Sequence, residues 1–306
     1  MEDQHKTLIV VTGPTGSGKT KLSIELARRL GCDIISADSR QLFRDIPIGT
    51  ASPTADEQAL VRHHLVGCLG LDEYYSAARF EEDALRLLDV QFVNSDYAVV
   101  CGGSMMYVDA LTRGIDSLPE ISDDVRREAY GMLESEGIEG VRMRLRELDP
   151  AYYAVVDLNN HKRLVHALEI CMEAGVPYSS LRTGREKVRP FRVVKFAFDY
   201  PREELFERIN RRVDAMMANG LLEEARAVYP LRHLNSLNTV GYKELFNYLD
   251  GQWDLPAAMA RIAKNTRVYA KKQLTWLKRD ASVIWLDPHA DNIADAVLCH
   301  AGVIAG

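Results

Sequence analysis

The sequence lacks any apolar run approaching the roughly 20 residues that a membrane-spanning helix requires. Its first residues, Met1-Glu2-Asp3-Gln4-His5-Lys6, also lack the pattern of a secretory leader. These two absences make a cytoplasmic protein with no membrane partner the expectation. Cysteine is scarce. Cys32, Cys68, Cys101, Cys171 and Cys299 are scattered, odd in number and free of C-x-x-C spacing, which argues against a disulfide framework or a zinc site and for reduced, buried thiols. Positive charge is not in excess either. With a formal net charge of −6 the chain repels nucleic acid on average, so any RNA site must be a concentrated basic patch. Repeats and low-complexity tracts are missing. What remains is 306 residues, 47% hydrophobic and 27% charged, an ordinary composition for an enzyme of one large domain or two modest ones.

One stretch organises the chain. The apolar run Leu8-Ile9-Val10-Val11 leads into Gly13-Pro14-Thr15-Gly16-Ser17-Gly18-Lys19-Thr20, and Leu22, Leu26, Ala27 and Leu30 then recur at helical spacing until Gly31. A strand, a G-x-x-x-x-G-K-[ST] loop and a helix in that order form a phosphate cradle. Gly16 and Gly18 let successive N–H groups converge on phosphate oxygens, and the helix adds its positive N-terminus. Lys19 can reach the terminal phosphate, and the Thr20 hydroxyl can hold Mg²⁺ beside it. The loop binds a polyphosphate; whether a nucleotide carries it stays open.

A second strand, Ile34-Ile35-Ser36-Ala37, delivers Asp38-Ser39-Arg40-Gln41 at its carboxyl end, where open α/β sheets bind ligands, so these four residues should face the phosphate loop. Asp38 has a competing role as a cap. His63-His64 lacks a matching carboxylate cluster and reads as structural or surface. Ser76 caps a helix carrying Phe80, Ala84, Leu87 and Leu88. The strand Tyr97-Ala98-Val99-Val100-Cys101 then ends in Gly102-Gly103-Ser104-Met105-Met106-Tyr107. Enzymes of phosphoryl transfer usually place an aspartate at the end of such a strand for the magnesium shell. Here a glycine pair brings backbone close to a ligand instead.

From about 119 to 190 the alternation of strand and helix stops. Ser122-Asp123-Asp124 opens a helix, short helical patterns follow with breaks at Gly137, Gly140 and Pro150, and Lys162-Arg163-Leu164-Val165-His166-Ala167-Leu168-Glu169 is the most helical of them, ending near Gly175. The expected fold is α/β: a P-loop NTPase-like core with a parallel sheet, built from 1–118 and 191–306, plus a helical insertion domain at 119–190. The last loop of the insertion carries Arg182, Arg185, Lys187, Arg189 and Arg192 against Glu186. A strand returns at Val193-Val194-Lys195-Phe196-Ala197-Phe198. A helix with Arg208, Arg211 and Arg212 follows, ending near Gly220. Thr239-Val240-Gly241-Tyr242-Lys243-Glu244 precedes a long helix from about Pro256 to Arg279. At roughly 100° per residue Arg261, Lys264, Arg267, Lys271 and Lys278 share one face, with Ile262, Ala263, Tyr269, Ala270, Leu274 and Leu277 on the other. No acid interrupts 261–279, and an all-basic stripe favours an anionic partner.

Together these residues resemble the tRNA dimethylallyltransferase (tRNA isopentenyltransferase) family over nearly the whole chain: GPTGSGKT at 13–20, DSRQ at 38–41, IGTASP at 48–53, YSAARF at 75–80, GGSMMY at 102–107, KRLVHALE at 162–169, GL at 220–221, VGYKE at 240–244 and YAKKQLTW at 269–276. A phosphate loop alone is shared with many kinases; the loop, DSRQ and YAKKQLTW in this order are far more specific. The resemblance implies transfer of a dimethylallyl group from dimethylallyl diphosphate to the exocyclic N6 amine of the adenosine 3′ of the anticodon in certain tRNAs, releasing diphosphate. It implies Mg²⁺, held in part by Thr20, and a helical insertion that grips the anticodon stem-loop; a monomer is expected. By matching position, residues 13–20 hold the diphosphate. Asp38, Ser39, Arg40, Gln41, Ser104, Arg126, Lys162, Arg163, His166, Gly241, Tyr242, Lys243, Lys271 and Lys272 contact tRNA. Ser104 stands where the family usually has threonine, and His166 and Lys272 stand where arginine is common, which alters the RNA contacts.

The chemistry suits the residues. An allylic diphosphate reacts as charge on its departing diphosphate is neutralised, which the loop amides, Lys19, Thr20 with Mg²⁺ and, by family position, Arg212 can do. Adenine's amine is a poor nucleophile, and Asp38 is the candidate base that takes its proton, an effect of about 10²–10⁴-fold. Ser104 would sit near the reacting centre or the base, which must leave its stack. Three alternatives stay open: a small-molecule or nucleotide kinase, a non-catalytic RNA-binding protein, and an enzyme that prenylates free adenine nucleotides.

Overall fold

The structure, a computed structural model, describes residues 6–304; residues 1–5, where a leader was sought, lie outside them. Its elements run β1 (Thr7–Thr12), α1 (Lys19–Leu30), β2 (Ile34–Ser36), α2 (Pro47–Thr50), α3 (Ala55–Leu60), β3 (His63–His64), α4 (Ala77–Asn94), β4 (Tyr97–Gly102), α5 (Met105–Arg113), α6 (Asp123–Leu148), α7 (Pro150–Tyr153), α8 (His161–Ala174), α9 (Tyr178–Leu181), β5 (Arg192–Phe198), α10 (Arg202–Ala218), α11 (Leu221–Val228), α12 (Tyr242–Leu249), α13 (Leu255–Leu277), β6 (Val283–Leu286) and α14 (Ile293–Ala301). They form two compact units, one of residues 1–113 with 188–306 and one of 114–187. The expected boundaries, 118/119 and 190/191, lie within five residues of these.

The larger unit is built on a parallel sheet of six strands among the described residues, in the order β3-β2-β4-β1-β5-β6. β1 is buried along its whole length, as a central strand covered on both faces must be. Successive side chains alternate between the two layers: Leu8 and Val10 pack with α4, α5, α11 and α12, whereas Ile9 and Val11 pack with α1 and α14. Each such residue contributes about 1.5–3 kcal/mol by leaving water. The register matters for function. Thr12 lies opposite Gly102 of β4 and Ala197 of β5, so the loop that leaves β1 emerges between the carboxyl ends of two neighbouring strands.

The smaller unit is helical, with a core of Ala129, Val141, Leu145, Tyr152, Leu164 and Leu168. Gly137 breaks the helical path (φ 70°) but Gly140 does not: it lies buried within the second half of α6, so the expected break there is corrected. Pro150 occupies the first turn of α7, where a missing N–H costs nothing. Asp149 closes this corner, accepting the Tyr152 N–H at 2.9 Å, the Ser179 N–H at 2.6 Å and the Ser179 hydroxyl at 2.7 Å.

Candidate active site

The phosphate loop takes the shape its glycines predict. Gly13, Gly16 and Gly18 all have positive φ (139°, 82° and 88°), conformations that strain any residue with a Cβ, and α1 starts at Lys19. The loop is braced from α10: Arg208 Nε donates to the Gly16 carbonyl at 2.8 Å, and Ile209 lies where a Gly16 side chain would go. Ser17 Oγ is buried without a hydrogen-bond partner. A buried hydroxyl left this way is costly unless a ligand oxygen completes it, which an anion in the loop would do.

Lys19 Nζ donates to the Pro14 carbonyl at 2.8 Å. Burial lowers its pKa from 10.5 to about 8, with Cys101 and Asp38 favouring the ammonium and Arg212 opposing it. Arg212, from α10, is likewise pushed down by burial and supported by Asp38. The three groups therefore feel one another in a single cleft of ≈ 560 Å³. That cleft is lined by Thr15, Lys19, Thr20, Asp38, Ser39, Arg40, Gln41, Arg212, Gly241, Lys243 and Lys272 among the expected site residues. Val213, Met216, Leu221, Val240 and Ile262 give it an apolar portion. Charged groups able to hold a diphosphate thus share a wall with surface able to hold a hydrocarbon.

Asp38 does cap: its Oδ1 accepts the Arg40 N–H at 3.0 Å. One accepted bond leaves a carboxylate with further lone pairs, so the cap and a role as base are compatible. Arg40 donates to the carbonyls of Asn235 and Ser236 at 3.2 and 2.9 Å. Ser36 Oγ donates to Gln41 Oε1 at 3.0 Å, and Gln41 Nε2 donates to the Ala51 carbonyl at 3.0 Å, tying the DSRQ turn to the 48–53 segment. Ser104 stands behind the turn. Its Oγ accepts the Ser39 N–H at 2.8 Å and donates to Ser39 Oγ at 3.1 Å.

The glycine pair after β4 has a steric origin. A Cβ on Gly102 would overlap the Ala37 carbonyl, and one on Gly103 would overlap the Gln273 amide. The strand carrying the candidate base and the helix α13 both come too close for a side chain here. Two residues of this site were not singled out from the sequence. Glu224 accepts the N–H groups of Ile48 and Gly49, both at 2.8 Å, and also the Tyr242 hydroxyl, so it joins the 48–53, 220–221 and 240–244 segments. Gln273 Oε1 accepts the Thr15 N–H at 3.1 Å while its Nε2 donates to the Gly103 carbonyl at 2.8 Å. An acid in a helix's first turn reads as a partner of the helix dipole, and a glutamine on a basic helix reads as solvated, so neither signalled its contacts.

Several expectations are corrected. Tyr242 is 0% exposed and bonded to Glu224, so its side chain packs the core and is not offered to RNA. Tyr269, assigned to the apolar face of α13, is 41% exposed and lines the cleft. His63 and His64 keep the structural reading: His63 is buried with its Nδ1 2.9 Å from the Val61 carbonyl, and His64 pairs with Asp33 at 2.8 Å. In the basic 182–192 loop, Arg189 is buried against Glu81 (2.6 Å) and Arg192 donates to the His300 carbonyl, so neither belongs to a free patch. Lys271 is exposed on α13 beside a shallow depression with Trp276. In the helical unit Lys162 and Arg163 are exposed, and the buried Glu169 faces Arg126 at 4.0 Å and His166 at 3.7 Å.

Among the described residues no group of three or more His, Cys, Asp or Glu is placed to hold a metal ion. The donor set in the cleft, a threonine hydroxyl beside a phosphate-type loop, nonetheless fits Mg²⁺, which keeps waters and takes phosphate oxygens in preference to a protein cage.

Residues 41–280 match the family profile described as IPP transferase. The chain belongs to that family. It is 53% identical over 282 residues to tRNA dimethylallyltransferase 2 of Parabacteroides distasonis, covering 92% of this chain and 94% of the relative. It is also 53% identical over 285 residues to tRNA dimethylallyltransferase 1 of Bacteroides thetaiotaomicron, covering 93% and 92%. Among solved structures it is similar to the full-length tRNA isopentenylpyrophosphate transferase of Bacillus halodurans, with TM-score 0.69, 35% identity and coverage of 98% and 96%. A eukaryotic dimethylallyltransferase captured acting on tRNA gives TM-score 0.80 at 25% identity, covering 96% of this chain and 78% of that one. An IPP transferase is thus an α/β protein with a P-loop-like sheet, as expected for this chain, and the kinase alternative loses its footing. Among the described residues no helix is long and apolar enough to cross a membrane.

Proposed function

We propose that this chain is a tRNA dimethylallyltransferase that moves a dimethylallyl group from dimethylallyl diphosphate to N6 of the adenosine 3′ of the anticodon, releasing diphosphate. The observation that carries the reading is the company Asp38 keeps: a carboxylate shares one cleft with Lys19 and Arg212, and a glycine pair occupies the strand end where phosphoryl transfer would need a carboxylate.

The donor's diphosphate lies on the loop amides of residues 13–20, completing the Ser17 hydroxyl, with Lys19 and Arg212 over its charge. The hydrocarbon lies against the cleft's apolar portion, which excludes water from the allylic carbon. As the allylic C–O bond breaks, its electron pair goes to the diphosphate, where Lys19, Arg212 and the loop N–H groups stabilise it. The N6 lone pair forms the new C–N bond, and the N6 proton passes to Asp38. Mg²⁺, held by Thr20 and diphosphate oxygens, would supply further charge neutralisation of the leaving group. The base enters flipped from its stack. Exposed Lys271 and Lys272 of α13 hold the backbone of the anticodon stem-loop, and the helical unit, taken by itself, offers exposed Lys162 and Arg163 for RNA phosphates.

The test is positional. Transcripts carrying adenosine or guanosine immediately 3′ of the anticodon are incubated with the protein, labelled donor and Mg²⁺, then digested to nucleosides. Label appears in the adenosine transcript alone. Equal labelling of both would place the reaction elsewhere.

A further inference from the structure

Gln273 stands at a junction the proposed chemistry does not use. Its side chain is 3% exposed, yet the helix that carries it also carries Lys271 and Lys272, both exposed, in the two preceding positions. From that helix the Gln273 amide reaches inward in two directions. Oε1 accepts the Thr15 N–H of the phosphate loop at 3.1 Å, and Nε2 donates to the Gly103 carbonyl at 2.8 Å. Both partners are backbone groups of fixed polarity, so the amide can sit only one way round. Gly103 leads directly to Ser104, whose hydroxyl accepts the Ser39 N–H beside Asp38. One buried amide thus joins the RNA-facing helix, the diphosphate loop and the turn that holds the candidate base. The two contacts require a donor and an acceptor at one terminus, which an amide supplies, and asparagine is one methylene shorter than glutamine.

We propose that Gln273 is a positioning residue that couples RNA binding on α13 to the diphosphate loop, so that occupancy of either site tightens the other. The inference rests on the proposed function. Phosphate contacts at Lys271 and Lys272 fix the helix, the helix fixes the amide, and the amide holds the loop in the shape that presents its remaining N–H groups to diphosphate. Linkage makes the effect reciprocal: whatever factor RNA lends to diphosphate affinity, diphosphate lends to RNA.

The experiment uses inorganic diphosphate with Mg²⁺ as one ligand. The other is an anticodon stem-loop with guanosine in place of the target adenosine, which cannot react. Diphosphate affinity is titrated with and without the stem-loop, for the full chain and for Gln273→Met and Gln273→Glu. Methionine keeps volume and helix propensity and removes both hydrogen bonds; glutamate keeps the acceptor for Thr15 and loses the donor to Gly103. Saturating stem-loop should tighten diphosphate binding in the wild type by a factor on the order of 5–150, the usual span of site-to-site coupling. In Gln273→Met the factor should fall to near one while stem-loop affinity alone changes less than about threefold, and Gln273→Glu should also lose coupling. A side chain that merely packs would weaken diphosphate binding equally with and without RNA and leave the factor intact; that result overturns the inference. So does a wild-type factor of one with both ligands bound. If the wild type failed to bind the stem-loop at all, the functional reading would fall first and this inference with it.

Discussion

Arg208 Nε donates to the Gly16 carbonyl at 2.8 Å, while Arg212, one helical turn further along α10, lines the ligand cleft. Two arginines on one face divide the work between holding the loop and facing its ligand. Their variants should therefore separate. Arg212→Ala should lower kcat by a factor on the order of 10²–10³, because the departing diphosphate loses a cation in the transition state. Arg208→Ala should act mainly on the KM for the donor. Steady-state kinetics with saturating tRNA checks this; matching losses in kcat for the two variants would contradict the division.

Lys19 provides a pH signature. Its pKa lies at about 8 instead of 10.5, so between those values the unfolded chain binds a proton that the native free protein does not. Native stability should rise with pH through that window from this residue, and the penalty is fully present below it. Lys19→Met removes the titration, so the melting temperature of wild type relative to the variant should climb between about pH 8 and 10. Donor affinity should run the other way in the wild type, weakening above pH 8 as the ammonium that holds diphosphate is lost. A flat difference in melting temperature across the window would rule the account of Lys19 out.

Asp38→Asn is the informative change at the candidate base. Asparagine caps as well as aspartate, so the bond from the Arg40 N–H survives and the turn keeps its shape. An amide cannot take a proton, so kcat should fall by about 10²–10⁴-fold. Affinity for tRNA should move far less. Near wild-type turnover in this variant would leave Asp38 as a cap only.

The fold was legible where its physics is local. The phosphate loop shows its strand, glycines and helix in consecutive residues, and the sheet follows from apolar runs such as Val99-Val100. The site was legible where one motif holds several functional groups, as in Asp38-Ser39-Arg40-Gln41. It was not legible where the partner lies far along the chain. Glu224 bonds Ile48 and Gly49, and Gln273 bonds Thr15, across separations of 175 residues or more that no periodicity encodes. Tyr269 misled because helical spacing places it near Ala270 and Leu274, although the cleft opens on that side of α13.

Close packing around the glycines gives a stability test. A Cβ at Gly102 would overlap the Ala37 carbonyl, and one at Gly49 would overlap the Tyr242 hydroxyl. Gly102→Ala meets backbone that cannot step aside and should cost about 1–3 kcal/mol or more. Gly31→Ala, where nothing lies within 4 Å, isolates the effect of the positive φ of 64° alone. Urea denaturation of the two variants should show the larger loss at Gly102.

The basic face of α13 should be visible in salt. Lys264, Lys271 and Lys272 are exposed, Lys271 with its ammonium 5.5 Å from the centroid of the Phe206 ring, whereas Arg267 is half-buried and donates to Asn210 Oδ1 at 2.6 Å, which makes the three lysines the accessible set. If each meets one phosphate, replacing all three by alanine should flatten the slope of log affinity for tRNA against log salt by roughly two to three. Diphosphate affinity in the absence of RNA should fall far less than tRNA affinity, any loss coming from Lys272 on the cleft wall. Parallel salt lines would show that the stripe is ordinary solvated surface.

The most direct measurement follows the label of the donor. The protein is incubated with Mg²⁺ and dimethylallyl diphosphate labelled in the dimethylallyl group, together with bulk tRNA, AMP or ATP in separate reactions. The account predicts label in tRNA with one diphosphate released per group transferred, none in AMP and no phosphate from ATP. Label in AMP at a comparable rate, or steady hydrolysis of ATP, would contradict it.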